Sequence, residues 1–251
     1  MANATLEKGL IVLEAMAREA REFSLTEISE LTGLTSSNAH KLLSTLSNQG
    51  YVLKNPATRG YQIGLRTLEL SASILDRMEV RRVGLTYLHE LADRTKSPSY
   101  LGVLHQGQVL TVETVYPAGV YSSTSPGFGS TMPLHDSAMG WAMLAAMPVG
   151  ERVKYIPKNE DIEASIKKVE RMGVAMIQRP RKGPPATVGV AAVVRNYRGE
   201  VIASLGASTS KGDWDHRDPK VFADEVVKAA SGLSFALGYA ASRLVLEGLS
   251  T

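Results

Sequence analysis

One stretch constrains the fold more than any other: "SLTEISELTGLTSSNAHKLLSTL", Ser24 to Leu46. Ser24, followed three residues later by Glu27, is a capping box, in which side chain and backbone pair reciprocally to start a helix. Ile28 and Leu31 supply the apolar stripe of a short helix, and Gly33 ends it. Thr35 or Ser36 can cap the next helix, where Ala39, Leu42, Leu43 and Leu46 recur at i, i+3, i+4 and i+7. Two helices joined by a short glycine turn make a helix-turn-helix. The polar side of the second helix carries Ser36, Ser37, His40, Lys41, Ser44 and Ser47: donors, acceptors and one cation, but no acid. Solvated helices usually interleave Glu with Lys, because such pairs at i, i+4 each add roughly 0.2–0.5 kcal/mol. This helix is prepared to meet something already negative.

The surroundings agree. The net charge of +3 over 251 residues is too small to indicate a polyanion partner by itself, but its distribution is uneven. No Asp or Glu occurs from Leu31 to Leu68, where Lys41, Lys54, Arg59 and Arg66 all lie. A local basic surface on a near-neutral chain is the footprint of phosphate contacts. Upstream, Leu6, Leu10, Leu13 and Met16 to Ala17 repeat at helical spacing over about Thr5 to Arg18. After Gly50, "YVLK" and "YQIG" are strand-like runs around the turn "NPATRG". Three helices and a hairpin describe a winged helix-turn-helix over residues 1–64, with its second motif helix destined for the major groove of DNA. Thr35, Ser36, Ser37, Asn38 and His40 sit near the start of that helix, where side chains reach base edges or phosphates. Asn38 can pair with adenine, and Lys41 can grip a phosphate or a guanine edge. Thr45 lies on the same element, and Arg59 at the wing tip is the candidate backbone or minor-groove contact. Leu42, Leu43 and Leu46 are expected in the core.

Leu65, Leu68, Ala72, Leu75 and Met78 predict a linker helix over residues 65–79. A break near Glu79 to Arg82 precedes the helix "VGLTYLHELADRT". From Ser99 strands and turns alternate: "SYLGVLH" and "VLTVETV" flank a turn, and "GVYSSTSPGFGS" is a Gly/Ser-rich loop. A helix begins near Asp136 and is stopped by Pro148, "IEASIKKVERMG" is another helix, and "TVGVAAVVRN" and "VIASLGAS" are strands around "YRGE". Asp218 as N-cap and Pro219 at the first helical position start a last helix running to about Leu246. The expected class is α+β: winged helix, linker helix, then an effector-binding and oligomerisation domain over residues 80–251 built on an antiparallel sheet.

Several classes are excluded or disfavoured. With no cysteine, disulfides and thiolate chemistry are absent. The N-terminal apolar run contains acids and lacks a cleavage site, and no run approaches the roughly 18 apolar residues of a membrane span, so a cytoplasmic protein without a membrane partner is expected. "DWDHRD" (Asp213 to Asp218) offers carboxylates and His216, but no second histidine stands at ligand spacing, so no metal or other cofactor is expected. The alternative from another class is a small-molecule hydrolase using His135, Asp136 and Ser137. Adjacent residues rarely point at one another, and no nucleophile elbow, P-loop or dinucleotide fingerprint is present. No enzyme is expected.

Over nearly its whole length the chain resembles the IclR-type bacterial transcription regulators. The resemblance rests on "EISELTGLTSSNAHKLLSTLSNQGYV" followed by "GYQIG", then on "MPLHDSAMGWAMLA" and the helix, glycine and two strands from Ile162 to Ser208. It implies a GAF-like effector domain, a homodimer or homotetramer, and control of a catabolic operon by a small organic molecule. Two winged helices held by linker-helix dimerisation imply a pseudo-palindromic operator on double-stranded DNA.

The resemblance also frames the effector site. Leu134, Ser137 and Met139 belong to its helix motif, although Met139, Met143 and Met147 at i, i+4, i+8 also read as a packing stripe. Free N–H groups at that helix start favour an anion, and Gly140 has no side chain to block a ligand. Trp141 stands where the family commonly has lysine; it either stacks an aromatic ring or fills volume. "QRPRKGPP" replaces a usually acidic segment, and Arg179, Arg181 and Lys182 within it read either as a carboxylate clamp or as a wet loop. Gly189 takes the place of a frequent cysteine, and Gly206 and Ser208 stand where a serine pair is common. With Tyr100 added, an aromatic acid is the effector to test first.

Overall fold

The computed structural model describes residues 3–120, 127–157, 160–179 and 186–240. It divides into two compact units, residues 1–77 and 78–251.

In the first unit, α1 (Ala4–Ala17), α2 (Leu25–Thr32) and α3 (Ser36–Asn48) precede the hairpin β1 (Val52–Lys54) and β2 (Tyr61–Ile63), followed by α4 (Arg66–Leu75). The Ser24–Glu27 capping box forms in both directions, Gly33 ends α2 in the left-handed region, and Thr35 caps α3. Val12, Met16, Phe23, Ile28, Ala39, Leu43, Val52 and Tyr61 form the core. Leu42 and Leu46 are only partly buried, at the margin of this cluster. Ser47 departs from the polar face predicted for it, its Oγ being sealed from solvent.

Two expectations here need correction. The buried face of α1 is Gly9, Val12 and Met16, whereas Leu6 and Leu10 are 62% and 51% exposed. The helix is apolar on more than one side, so its own periodicity does not choose the inward face; packing against α2 and α3 does. The linker break also falls earlier, at 76–78, because Met78 leaves the helical conformation (φ -76°, ψ 88°) and its carbonyl receives the N–H of both Arg81 and Arg82, opening the next helix at Glu79.

The second unit contains α5 (Glu79–Thr95), β3 (Ser99–His105), β4 (Gln108–Val115), β5 (Thr131–Pro133), a 3₁₀ turn (Leu134–Asp136), α6 (Ala138–Ala146), α7 (Val149–Arg152), α8 (Glu160–Met172), β6 (Ala175–Arg179), β7 (Thr187–Arg195), β8 (Val201–Ser210), α9 (Lys211–Trp214) and α10 (Pro219–Ala236). The short elements β5, β6, α7 and α9 have no counterpart in the sequence reading. The strands make one antiparallel sheet in the order β5-β4-β3-β8-β7-β6. Side chains alternate between its faces. Leu101, Val190, Ala192, Leu205 and Ala207 join α5 and α10 on one side, while Tyr100, Ala175 and Ala191 join α6 and α8 on the other. The fold is thus α+β, a sheet between two helical layers. Arg152 of α7 is fully buried, and its guanidinium holds Glu163 (2.8 Å) and Glu170 of α8. The last helix stops at Ala236, well short of Leu246: Gly238 adopts φ 83°, and Tyr239 N–H returns to the Ser234 carbonyl.

Among the described residues no helix is long and apolar enough to cross a membrane, and no group of three or more His, Asp or Glu could hold a metal. In "DWDHRD", Asp213 accepts from Ser210, Asp215 pairs with Lys211, and Asp218 caps α10.

Candidate nucleic-acid interface and effector face

The N-cap at Thr35 fixes where α3 starts, and Ala39 and Leu43 fix which way it faces. Thr35 Oγ1 accepts the Asn38 backbone N–H at 3.4 Å. With Ala39 and Leu43 fully buried, Ser36, Ser37, Asn38, His40 and Lys41 turn outward together and are all exposed. Thr45 is exposed too, but its hydroxyl donates to the Lys41 carbonyl at 3.1 Å, which occupies its proton within the helix. Among the described residues Lys41 has no carboxylate partner. The residues predicted from helical spacing therefore share one solvent face that carries positive charge.

Arg59 lies in the β1–β2 turn, exposed, and holds φ 60°, a left-handed conformation that a non-glycine residue seldom adopts. The turn is closed by Asn55 N–H to Gly60 carbonyl and Arg59 N–H to Asn55 carbonyl, both 2.8 Å. Nearby, Lys54 Nζ sits 5.2 Å above the Tyr61 ring. One contributor escaped the sequence reading. Glu22, outside the acid-free window, accepts Asn55 Nδ2 and Thr58 Oγ1, each at 2.6 Å, and these bonds lower its pKa. Its partners lie 33 and 36 residues away in the chain, so no local motif announces it.

In the second unit, strand register gathers the candidate effector residues. Tyr100 pairs with Gly206, Gly206 with Ala191, and Ser208 with Gly189. Tyr100, Gly189, Gly206 and Ser208 therefore share the sheet face beneath α6, and the Tyr100 hydroxyl lies 2.9 Å from Ser208 Oγ. Gly189 sits under the first turn of α6, where a Cβ would stand 3.5 Å from Ala138 Cβ. Arg179 pairs with Thr187 at the end of β6. Arg181 and Lys182 lie outside the described residues, as does part of the Gly/Ser-rich loop.

The helix motif itself is mostly engaged in its own assembly. Leu134 is buried, and Ser137 Oγ accepts the Gly140 N–H at 2.9 Å, capping α6. A Cβ on Gly140 would stand 2.0 Å from the Leu134 carbonyl oxygen, and one on Gly206 2.5 Å from the Val190 oxygen. Close backbone approach requires glycine at both positions. Met139 is buried and packs over Gly102 of β3. Trp141 packs partly buried against the same cluster while its indole N–H donates to the His135 carbonyl at 2.7 Å. At the other end of α6 a cavity of about 300 Å³ opens, lined by Met143, Met147, Glu151, Arg195, Glu200 and Val201 among others. No local pattern announces it, since its walls come from β3, α6, α7, β8 and the β7–β8 turn.

A winged helix with an acid-free recognition face, followed by a separate α+β unit, is the layout of a DNA-binding regulator. Comparison with known proteins agrees. The IclR helix-turn-helix domain matches residues 5–56, and the C-terminal domain of the bacterial transcriptional regulator IclR matches residues 72–235. The chain belongs to the IclR family and is a DNA-binding transcriptional regulator. It is 27% identical to the HTH-type transcriptional regulator XynR of Escherichia coli, over 94% of this chain and 98% of that protein. It is 35% identical to the glycerol operon regulatory protein of Streptomyces griseus, over 58% of this chain and 57% of that protein. Among solved structures, an IclR transcriptional regulator from Alicyclobacillus acidocaldarius superposes with a TM-score of 0.78 at 21% identity, covering 95% of this chain and 98% of that one. An IclR homologue from Microbacterium hydrocarbonoxydans, solved with 4-hydroxybenzoate, gives 0.77 at 22%, covering 93% and 99%. These relatives are transcription regulators, and with Ser137 serving as the α6 cap the hydrolase alternative is set aside.

Proposed function

We propose that the chain controls a catabolic operon by reading a pseudo-palindromic operator with α3 and the wing of two copies, under the control of an aromatic carboxylate bound on the sheet face beneath α6. The observation that carries the DNA reading is the single exposed face of Ser36, Ser37, Asn38, His40 and Lys41 on a helix that carries no acid. Lys41 supplies the charge, the side chains of the first turn read the bases, and Arg59 grips the backbone from the wing. Self-association is supported by α4, which buries none of its residues and exposes Leu68, Leu70 and Ile74 beside its exposed cap Leu65. A second copy would cover these apolar side chains.

For the effector, the Tyr100–Ser208 hydroxyl pair on a face of small residues favours a flat ligand with a polar group. The regulator solved with 4-hydroxybenzoate supports the same class. A ligand shifts DNA affinity only as far as it prefers one arrangement of the dimer, typically by 1–3 kcal/mol. The test is fluorescence anisotropy on a duplex that the full-length protein has selected from a random pool, with unlabelled competitor and a salt series. Binding that falls steeply with salt yet survives competitor, and shifts with 4-hydroxybenzoate or a related benzoate, is the expected result. Failure to select any duplex overturns the DNA reading; selection without response to any aromatic acid overturns the effector class alone.

A further inference from the structure

The wing turn carries an acid that a DNA-binding surface would be expected to exclude. Glu22 lies in the segment between α1 and α2, whose next residue, Phe23, exchanges two backbone hydrogen bonds of 2.8 Å with Tyr61 of β2. That single antiparallel bridge ties the segment to the wing and brings the Glu22 carboxylate up to the turn. No cation meets this carboxylate among the described residues: Arg21 binds Glu19 and Glu27 instead. Both oxygens are occupied by neutral donors of the turn, Asn55 Nδ2 on one and Thr58 Oγ1 on the other.

The two donors are themselves structural. Asn55 Oδ1 accepts the backbone N–H of Ala57 (2.9 Å) and Thr58 (3.4 Å), and Thr58 Oγ1 accepts that of Gly60 (3.2 Å). The carboxylate thus holds the side chains that hold the turn. A Cβ on Gly60 would come within 2.8 Å of Glu22 Oε2, so the carboxylate also accounts for glycine there. Between Thr58 and Gly60 stands Arg59, exposed in a left-handed conformation that persists only where its surroundings over-determine it. We infer that Glu22 is a positioning residue for DNA binding, clamping the wing turn through Asn55 and Thr58 so that Arg59 is presented to the phosphate backbone. This rests on the proposed contact of Arg59 with DNA.

Simple electrostatics gives the opposite sign. A carboxylate near phosphates repels them, so removing it should tighten binding if charge alone mattered. The experiment uses the full-length protein and the selected duplex described above, titrated from 50 to 200 mM salt. Glu22→Ala is expected to weaken binding about three- to tenfold and to lower the log–log salt slope by about 1, as the loss of one phosphate contact does. Arg59→Ala should lower the slope equally, and Glu22→Ala combined with Arg59→Ala should bind no more weakly than Arg59→Ala alone, since the clamp acts through that side chain. Thr58→Val, which leaves the carboxylate in place, should give a smaller loss in the same direction and serves if Glu22→Ala does not fold by circular dichroism. Tighter or unchanged binding by the folded Glu22 variant overturns the clamp. An additive loss in the double variant also overturns it. An Arg59→Ala protein with an unchanged slope instead removes the wing contact on which the inference stands.

Discussion

The proposed recognition face and the proposed effector face use polar groups in opposite ways. On α3, Ser36, Ser37, Asn38, His40 and Lys41 stand exposed on a helix whose start is already capped, so their side chains are at the disposal of a large external partner. Beneath α6 the hydroxyls meet inside the fold: Tyr100 is 3% exposed and bonded to Ser208, while Ser137 is spent on its own helix. A surface that meets DNA can leave its donors in water until contact. A buried face cannot, because an unpaired polar group there costs roughly 1–3 kcal/mol. An effector bound on the sheet as proposed would have to replace the hydrogen bonds it interrupts, so such a site would select by chemistry.

The comparison can be broken most severely at the cores that orient the two faces. Leu43→Ala should destabilise the first unit by about 2–5 kcal/mol, since the side chain is fully buried; urea denaturation followed by circular dichroism reads this, and a loss below 1 kcal/mol would remove Leu43 from its orienting role. Gly140→Ala is the counterpart in the second unit. Its new methyl would press on the Leu134 carbonyl, for an expected cost of about 1–3 kcal/mol. Gly189→Ala, with room at 3.5 Å, should leave the melting temperature nearly unchanged while narrowing the proposed ligand face. Equal destabilisation by both glycine variants would contradict this division.

Finer tests sharpen the contrast. Lys41→Ala should lower the DNA salt slope by about 1 and leave calorimetric benzoate binding intact, whereas Tyr100→Phe should cost about 0.5–1.5 kcal/mol of stability and alter the ligand response without changing the salt slope. The smallest effect concerns acid. The Ser24 N–H and then Arg21 lower the Glu27 carboxylate from its usual value to about 2. Because the folded state binds the proton more weakly than the unfolded chain, this contribution is complete above the ordinary carboxylate range and fades as pH falls toward 2. Acid titration of Glu27→Gln should show a flatter loss of stability across that window than the parent.

How much of this was legible depends on whether a feature lies on one element. The α3 face could be read because its residues follow the 3.6-residue period of a single helix, with caps marking where it starts. The first motif helix, α2, was legible from its capping box, and the wing and main strands from strand-like runs around turns, each confined to one short segment. The inward face of α1 was not, because Leu6, Leu10 and Val12 offer competing stripes and only the neighbouring helices decide between them. The grouping of Tyr100, Gly189, Gly206 and Ser208 depends on register across three strands, which periodicity alone could not supply; the resemblance singled out only the last three. The backbone constraint on Gly140 was not legible for a related reason: it comes from the turn before it, which approaches from outside the helix pattern.

The bonds from Glu22 to Asn55 and Thr58 join residues 33 and 36 positions apart, closing a loop that contains α2, α3 and β1. Local helices form before contacts that must first overcome the entropy of closing such a loop. On this argument the helices are expected to form first and the wing turn to be anchored after them. A chain emerging from the ribosome would then acquire α3 before the turn that carries Arg59 is held in place.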